Sequence, residues 1–149
     1  MYKIIFFIII NLFTLVFVAL QAQTVNIPDL AFKSYLLMYN NPVIDTNGDF
    51  EIQVSEAQAL TSLHITSYAN PTDVANITDL TGLESFINLE YFTLGGANQV
   101  TSLDLSNQTH LIQFDIYNDP LLTCINLHNG NNTNIDDANS HLENVANLE

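Results

Sequence analysis

The sequence predicts an α/β repeat solenoid with parallel strands at a short constant step and a helical cap at each end. Four segments, at residues 89–94, 100–105, 111–116 and 122–127, share the pattern L-x-x-L-x-L, and each begins 11 positions after the one before it. The last three residues of each segment alternate apolar, polar, apolar, as in a strand. A constant step in one register is typical of arrays in which each unit buries its apolar side chains against its neighbours.

Residues 1–22 have the features of a secretory signal peptide. Lys3 gives a positive start, residues 4–20 are almost wholly apolar, and Ala22 is a small residue at a plausible cleavage point. The apolar run also approaches the length of a membrane-spanning helix, so an uncleaved anchor is the alternative. With cleavage, we expect a secreted or cell-surface protein that does not insert into the membrane.

The composition excludes two classes of partner. The chain has 16 acidic residues against two basic ones and a formal net charge of −14 at pH 7. Because such a chain repels phosphates and anionic lipids, we expect neither nucleic acid nor an anionic membrane surface as partner. Cys124 is the only cysteine. No internal disulfide is therefore possible, and the apolar repeat has to supply the stability.

Residues 23–59 are predicted to form an N-terminal cap. A helix over residues 26–39 would place Pro28 and Asp29 in its first turn, where a missing N–H and a negative charge are both favourable. Its apolar stripe would cover the open end of the array. The stripe consists of Ala31, Phe32, Tyr35, Leu36 and Tyr39.

An acidic loop with the length of an EF-hand calcium loop follows, from Asp45 to Glu56. Oxygen-bearing side chains stand at positions 1, 3, 5 and 12, which is the spacing by which an EF-hand loop wraps a calcium ion. Phe50 occupies position 6, where such loops have glycine. The alternative is a polar turn, with a capping box from Ser55 to Gln58 that opens a second helix. The predicted calcium ligands are Asp45, Asn47, Asp49, the carbonyl of Glu51, and Glu56.

Residues 60–133 are predicted to hold the repeats. The pattern first appears at residues 60–65, and residues 66–76 are predicted to bulge out as a loop. Apolar residues then recur at every third position from Ile77 to Phe92, a spacing that suits a tight helical or 3₁₀ turn before a strand. Asparagine tolerates left-handed conformations, so a column of asparagines is expected at the corners. This column is Asn107, Asn118 and Asn129.

Residues 134–149 are predicted to form a C-terminal cap or a truncated end. Ser140 and Glu143 have the spacing of a capping box that opens a short helix. Leu142, Val145 and Leu148 would form its apolar stripe and cover the far end of the array.

In these pieces the chain resembles the short leucine-rich repeat proteins exported by Bacteroidetes, notably flavobacteria. The matching pieces, in order, are residues 27–32, 45–49, 52–57, 77–83, 100–106, 122–125 and 129–133. The resemblance implies a non-catalytic secreted or surface repeat protein and brings no catalytic residues. Family members often have more repeats and a C-terminal sorting domain for type IX secretion. This chain stops at Glu149 with neither, as expected of a short member or a truncated copy.

Two outward faces follow if two steps of the repeat make one coil with a strand on each side. The candidate ligand-binding face has an exposed aromatic flanked by hydrogen-bonding groups, as is typical of surfaces that contact protein or sugar. The alternative is that Tyr91 only packs on its neighbour. The candidate residues are Tyr91, Thr93, Gln113 and Asp115, and the other face carries Ser102, Asp104, Cys124 and Asn126.

We therefore expect a non-catalytic extracellular leucine-rich repeat module for binding or adhesion to a protein or glycan, with a cap stabilised by calcium. One alternative is a structural or vestigial fragment with no ligand. The other is a polysaccharide-acting enzyme, which needs a base or cation near paired carboxylates. Asp104 and Asp115 are predicted on opposite faces, so no such pair is expected.

Overall fold

The computed structural model describes residues 23–38, 42–67, 71–97 and 99–145 of the chain, without the side chains of residues 71–73. The predicted signal peptide, Tyr39 and Leu148 lie outside these residues. No helix within the described ranges is long and apolar enough to cross a membrane. The elements in chain order are helix α1 (Leu30–Met38), helix α2 (Val54–Ala59), strand β1 (Ser62–Thr66), helix α3 (Pro71–Asn76), a 3₁₀ turn (Leu83–Ser85), strands β2 (Tyr91–Gly95), β3 (Ser102–Asp104), β4 (Gln113–Asp119) and β5 (Cys124–Asn126), a second 3₁₀ turn (Asn132–Asn134) and strand β6 (His141–Val145).

The strands form two parallel sheets, which makes the chain an α/β protein. One sheet has four strands in the order β1-β2-β4-β6, and the other pairs β3 with β5. Tyr91 pairs with Gln113 and Ser102 pairs with Cys124, so the β2–β4 and β3–β5 pairs are each offset by two steps of the repeat. Strands that are one step apart in the sequence therefore lie in different sheets, as the two-faced coil predicts.

Apolar side chains at matching positions of neighbouring strands stack on the inner side of the sheets. Because strand side chains alternate between faces, the two apolar residues of each strand point inward together. Phe92 pairs with Phe114 and Leu94 with Ile116, and all four are buried. The predicted run at every third position is also buried. It consists of Ile77, Leu80, Leu83, Phe86, Leu89 and Phe92.

Helix α1 covers the β1 end of this core but starts later than predicted. Its predicted start was Asn26, whereas the helix begins at Leu30. Pro28 disfavours a helical conformation for Ile27, which is buried outside the helix instead. The predicted stripe is confirmed at Phe32, Tyr35 and Leu36, all of which are buried.

Asp29 joins helix α1 to a distant segment. One carboxylate oxygen, Oδ1, accepts the N–H of Phe32 at 2.9 Å, which caps the helix. The other oxygen accepts the N–H groups of Thr78 at 2.8 Å and Asp79 at 3.1 Å. Partial burial raises the pKa of Asp29, but these hydrogen bonds outweigh burial and bring the pKa below its ordinary value. The carboxylate is therefore ionised at neutral pH and holds the start of helix α1 against Thr78 and Asp79.

The free edge of β1 is closed by a side chain of α1. The hydroxyl of Tyr35 donates to the carbonyl of His64 and accepts the N–H of Thr66 at 3.2 Å. These are backbone groups that a further strand would otherwise pair with. Tyr35 thus ends the sheet on this side.

Three predicted local structures are wrong. Residues 66–76 are not all loop, because Pro71 begins helix α3, a position that suits proline. The capping box that opens helix α2 lies at Gln53 and Glu56, not at Ser55 and Gln58, because the carboxylate of Glu56 accepts the N–H of Gln53 at 3.0 Å. Positive φ occurs at Asn118 but at neither Asn107 nor Asn129.

Three residues with left-handed backbone conformation lie instead near the ends of strands in the four-stranded sheet. Gly96 has φ 81°, Asn118 has φ 59° and Asn144 has φ 50°. The side-chain amide of Asn144 donates to Oδ1 of Asn118 at 3.1 Å. These three residues with positive φ therefore lie at matching positions near the ends of β2, β4 and β6. All three lie along the four-stranded sheet, and none along the two-stranded sheet.

The predicted C-terminal helix is also wrong. Residues His141–Val145 form strand β6, which pairs in parallel with β4. Pairing with β4 satisfies the backbone of this segment in a way that so short a helix would not. Leu142 takes the inward position opposite Ile116 and is still 47% exposed. The segment extends the sheet and does not cover its end.

Asp119 is a buried acid at the end of β4. Its Oδ1 accepts the N–H of Ala97 at 2.6 Å, and Oδ2 has no hydrogen-bond partner among the described residues. Loss of solvation on burial raises the pKa of Asp119 to about 6, although the N–H groups of Ala97 and Gly96 oppose the shift. Burial therefore makes the ionised form of Asp119 less favourable in the folded chain than in the unfolded chain.

We expect Asp119→Asn to remove a pH dependence of stability. The folded pKa of about 6 lies above the ordinary value of 3.8, so the folded chain binds more protons between these values and its unfolding free energy falls as pH rises. The total change is roughly 3 kcal/mol at most. Urea denaturation between pH 4 and 7 measures this slope. Equal slopes in Asp119→Asn and in the exposed control Asp137→Asn would contradict the assignment.

Candidate functional site

The outward side of the four-stranded sheet carries polar side chains in rows across the strands. We call this surface the polar face and define it by the outward residues of β1, β2, β4 and β6. Its middle row runs through paired residues of all four strands, which are His64, Thr93, Asp115 and His141. Ser62, Tyr91 and Gln113 form the row on one side, and Thr66, Gly95, Tyr117 and Glu143 form the row on the other.

Hydrogen bonds link the middle row at one end. The imidazole of His64 lies 2.8 Å from the hydroxyl of Thr93 through Nδ1 and 2.8 Å from the hydroxyl of Ser62 through Nε2. Both of these partners are hydroxyls, which can donate to or accept from a ring nitrogen. The group is therefore suited to hydrogen bonding.

At the other end of the row, Asp115 contacts His141. Nδ1 of His141 lies 2.9 Å from Oδ1 of Asp115, and both side chains are partly exposed. The side-chain amide of Gln113 donates to the other oxygen of Asp115 at 3.5 Å. Asp115 is thus held in place while keeping access to solvent.

The structure brings all four predicted ligand-binding residues onto two adjacent strands. Tyr91 is 39% exposed, Gln113 and Asp115 are half-buried, and Thr93 is only 8% exposed because its neighbours cover it. The sequence interpretation missed His64 and His141. His64 stands between two inward apolar residues just as Thr93 does, so the repeat pattern at residues 60–65 already contained that signal.

Tyr117 lies across the neighbouring strand at Gly95. A Cβ built on Gly95 would stand 2.5 Å from Cε2 and 2.8 Å from the hydroxyl oxygen of Tyr117. Only glycine leaves room for the ring at this place. The φ of Gly95 is not positive, so its backbone conformation is open to other residues. The glycine is required by the close approach of the ring.

The other predicted outward face is separate from the polar face. Ser102 and Asp104 of β3 and Cys124 of β5 are exposed on the two-stranded sheet. Asp104 and Asp115 therefore lie in different sheets, as expected. Asp104 also borders a cleft of about 370 Å³ that Asp79 and Glu84 line. Each of these carboxylates accepts an N–H from its own loop, so the acids stabilise turns.

The acidic loop adopts a tight turn in spite of Phe50. Phe50 has φ 64°, in the left-handed region, at the position where a calcium loop has glycine. Asp45 accepts the N–H groups of Gly48 at 2.8 Å and Phe50 at 3.1 Å, which closes the turn around its carboxylate. The ring is 76% exposed beside Leu30 and Met38, which are also exposed. Phe50 therefore adopts the left-handed conformation that the turn requires, at a cost in backbone strain.

The loop's own donors occupy its predicted calcium ligands. Oδ2 of Asp49 accepts the side-chain amides of Gln53 at 2.8 Å and Asn47 at 3.1 Å. The hydrogen bond from Gln53 and the N–H of Glu51 bring the pKa of Asp49 below its ordinary value.

The other two predicted ligands have different partners. Glu56 accepts the N–H of Thr46 at 2.7 Å. The carboxylate of Glu51 pairs with Lys33 at 2.7 Å, whereas the predicted ligand of this residue is its backbone carbonyl. Within the described ranges, no group of three or more His, Cys, Asp or Glu side chains is placed to hold a metal ion. Calcium binding at Asp49 would require the side-chain amides of Asn47 and Gln53 to rotate away from its carboxylate.

Neither protein-family models nor characterised proteins match this chain in sequence comparison. The function has therefore to be argued from the chain's own geometry.

We expect Phe50→Gly to stabilise the protein. The left-handed conformation costs an L-residue about 1–2 kcal/mol, and the extra freedom of glycine in the unfolded chain costs about 0.5–1 kcal/mol. The net gain is about 0.5–1 kcal/mol, since the exposed ring buries little surface. Chemical denaturation measures it.

Gly48→Ala is the matched control for Phe50→Gly. Gly48 has φ 73° and open space around its Cβ direction, so the only cost of alanine is backbone strain. We expect a loss of about 1 kcal/mol. A loss of stability in Phe50→Gly would show that the ring contributes packing that outweighs the strain.

Proposed function

We propose that this chain is a non-catalytic extracellular leucine-rich repeat module that binds a protein or glycan through the polar face. The observation that carries the proposal is the alignment of exposed and half-buried polar groups around Tyr91 on adjacent strands of a parallel sheet. An aromatic ring flanked by fixed hydrogen-bonding groups is typical of binding surfaces. The hydrogen bonds of His64, Asp115 and His141 hold these groups in defined positions before a ligand arrives.

The repeat architecture supports the same proposal. The β2–β4 and β3–β5 pairs share the same offset of two repeat steps, which favours a solenoid in which each coil contributes a strand to each sheet. The resemblance to exported leucine-rich repeat proteins of Bacteroidetes and the signal-like residues 1–22 favour a secreted or cell-surface location. The high negative charge favours a neutral or basic partner over nucleic acid or an anionic membrane.

Binding through the polar face can be tested by substituting Asp115, which lies on this face, and Asp104, which lies on the other sheet. The chain, purified after expression of the full sequence, is applied to arrays of glycans and surface proteins. We expect Tyr91→Ala and Asp115→Asn to weaken the binding of any hit about tenfold, as for residues at the centre of an interface. Asp104→Asn carries the same charge change on the other sheet and should bind as the original chain does.

Two outcomes would favour the alternative functions. An array without any hit would favour a structural or vestigial fragment. Turnover of a glycan that Asp104→Asn or Asp115→Asn abolishes would favour a polysaccharide-acting enzyme.

We also propose that calcium binds to the loop from Asp45 to Glu56 and stiffens the cap. The support is the spacing of Asp45, Asn47, Asp49 and Glu56 together with the left-handed turn at Phe50. For calcium to bind, the amides of Asn47 and Gln53 would rotate off Asp49 and leave its oxygens to the ion. The carbonyl of Glu51 would complete the set.

Calorimetric titration tests the calcium proposal. We expect one site with a dissociation constant of about 0.1–1 mM, as in extracellular calcium modules. Asp45→Asn should abolish the heat of binding, whereas Asp137→Asn, an exposed acid outside the loop, should leave it unchanged. The absence of heat above background at millimolar calcium would contradict the proposal.

A further inference from the structure

We infer that the polar face binds an uncharged oligosaccharide across two tyrosine rings, Tyr91 and Tyr117. The inference rests on the proposed binding function and specifies the ligand class of that face. It depends on four observations: the placement of the two rings, the hydrogen-bonding groups between them, the size of the face and the charge of the chain.

The two rings lie at opposite ends of the same strand. Tyr91 begins β2, and the ring of Tyr117 lies over Gly95, the last residue of β2. The distance along the strand between these two positions is about 13 Å. This separation is too great for one sugar ring to contact both tyrosines, so the ligand that uses both is a chain of sugars.

The groups between the rings suit a carbohydrate. Thr93 lies midway along β2, with His64 on one side and Asp115 on the other in the same row. Hydroxyl, imidazole and carboxylate groups bond to sugar hydroxyls as donors and acceptors. The negative face of an aromatic ring attracts the weakly positive C–H groups of a sugar ring. The hydrogen-bonding groups of His64 and Asp115 therefore lie between the two stacking positions, on either side of the covered Thr93.

The size of the face argues against a folded protein as the main ligand. The four short strands cover about 14 Å by about 13 Å, which is roughly 200 Å² of sheet. A typical protein complex buries about 800 Å² on each partner. An extended oligosaccharide contacts a narrow strip and makes full use of a face of this size.

The charge of the chain selects an uncharged sugar. The net charge is −14, and Asp115 and Glu143 lie on the face itself. Uronic acids and sulfated sugars would be repelled from this surface. Neutral hexasaccharides of glucose, xylose, mannose or N-acetylglucosamine carry the hydroxyl pattern without the charge.

The test measures binding of four neutral hexasaccharides, cellohexaose, xylohexaose, mannohexaose and N-acetylchitohexaose, with polygalacturonate as the acidic comparison. We expect at least one hexasaccharide to bind, its monosaccharide to bind at least tenfold more weakly, and polygalacturonate not to bind. Tyr91→Ala and Tyr117→Ala should each weaken the interaction about tenfold, as expected for loss of one stacked ring. Tyr117→Phe retains the ring and should retain binding.

Gly95→Ala separates the placement of the Tyr117 ring from its presence. The added methyl group touches no ligand but displaces the ring, which lies at the far end of a flexible side chain. We expect a loss of affinity close to that of Tyr117→Ala, with an unchanged melting temperature in far-ultraviolet circular dichroism. If Gly95→Ala fails to fold, the pair Tyr117→Ala and Tyr117→Phe decides the question alone.

Two results would overturn the inference. One is that no neutral hexasaccharide binds while a surface protein binds and is lost in Tyr91→Ala, in which case the proposed binding function stands and the oligosaccharide assignment fails. The other is that a hexasaccharide binds with equal affinity to the original chain and to Tyr117→Ala. Failure of both sugar and protein binding would remove the proposed function as well.

Discussion

The structure depends on stacking apolar side chains at matching positions of neighbouring parallel strands. Phe92 lies between Leu63 and Phe114 in the register of the four-stranded sheet, and all three are buried. Burying a side chain of this size stabilises the fold by about 1.5–3 kcal/mol, and a slip of one residue would turn every inner side chain outward. Ion pairs add little by comparison, because the Lys33–Glu51 pair is partly exposed. The register is therefore held by the core.

The two ends of this stack are built differently. At β1, the hydroxyl of Tyr35 occupies backbone groups of the edge, and Asp29 ties the covering helix to Thr78. At β6, pairing occurs with β4 alone within the described part of the chain, and Leu142 keeps nearly half of its surface exposed. One end thus has its apolar core and its hydrogen bonds covered, while the other continues the sheet.

The polar face is a consequence of the same alternation that makes the core. Each inward apolar residue is followed by an outward residue, and the register aligns these outward residues into rows. The rows then form their own hydrogen bonds, such as that between His141 and Asp115. Gly95 weakens its strand because it has no side chain to pack. The ring of Tyr117 fills that space and gives the face a second aromatic group.

The sequence alone determined the strand period, the inward residues, the buried stripe of helix α1 and four residues of the polar face. These features follow from local periodicity, because a side chain's direction in a strand or helix depends only on its place in the element. Tertiary structure determined the features that the repeat period does not specify. Residues His141–Val145 are too few to distinguish a helix turn from a strand, and the edge of β4 made them a strand, which brought His141 to the face. The ring of Tyr117 over Gly95 joins two residues that are distant in the sequence, so their contact depends on sheet pairing.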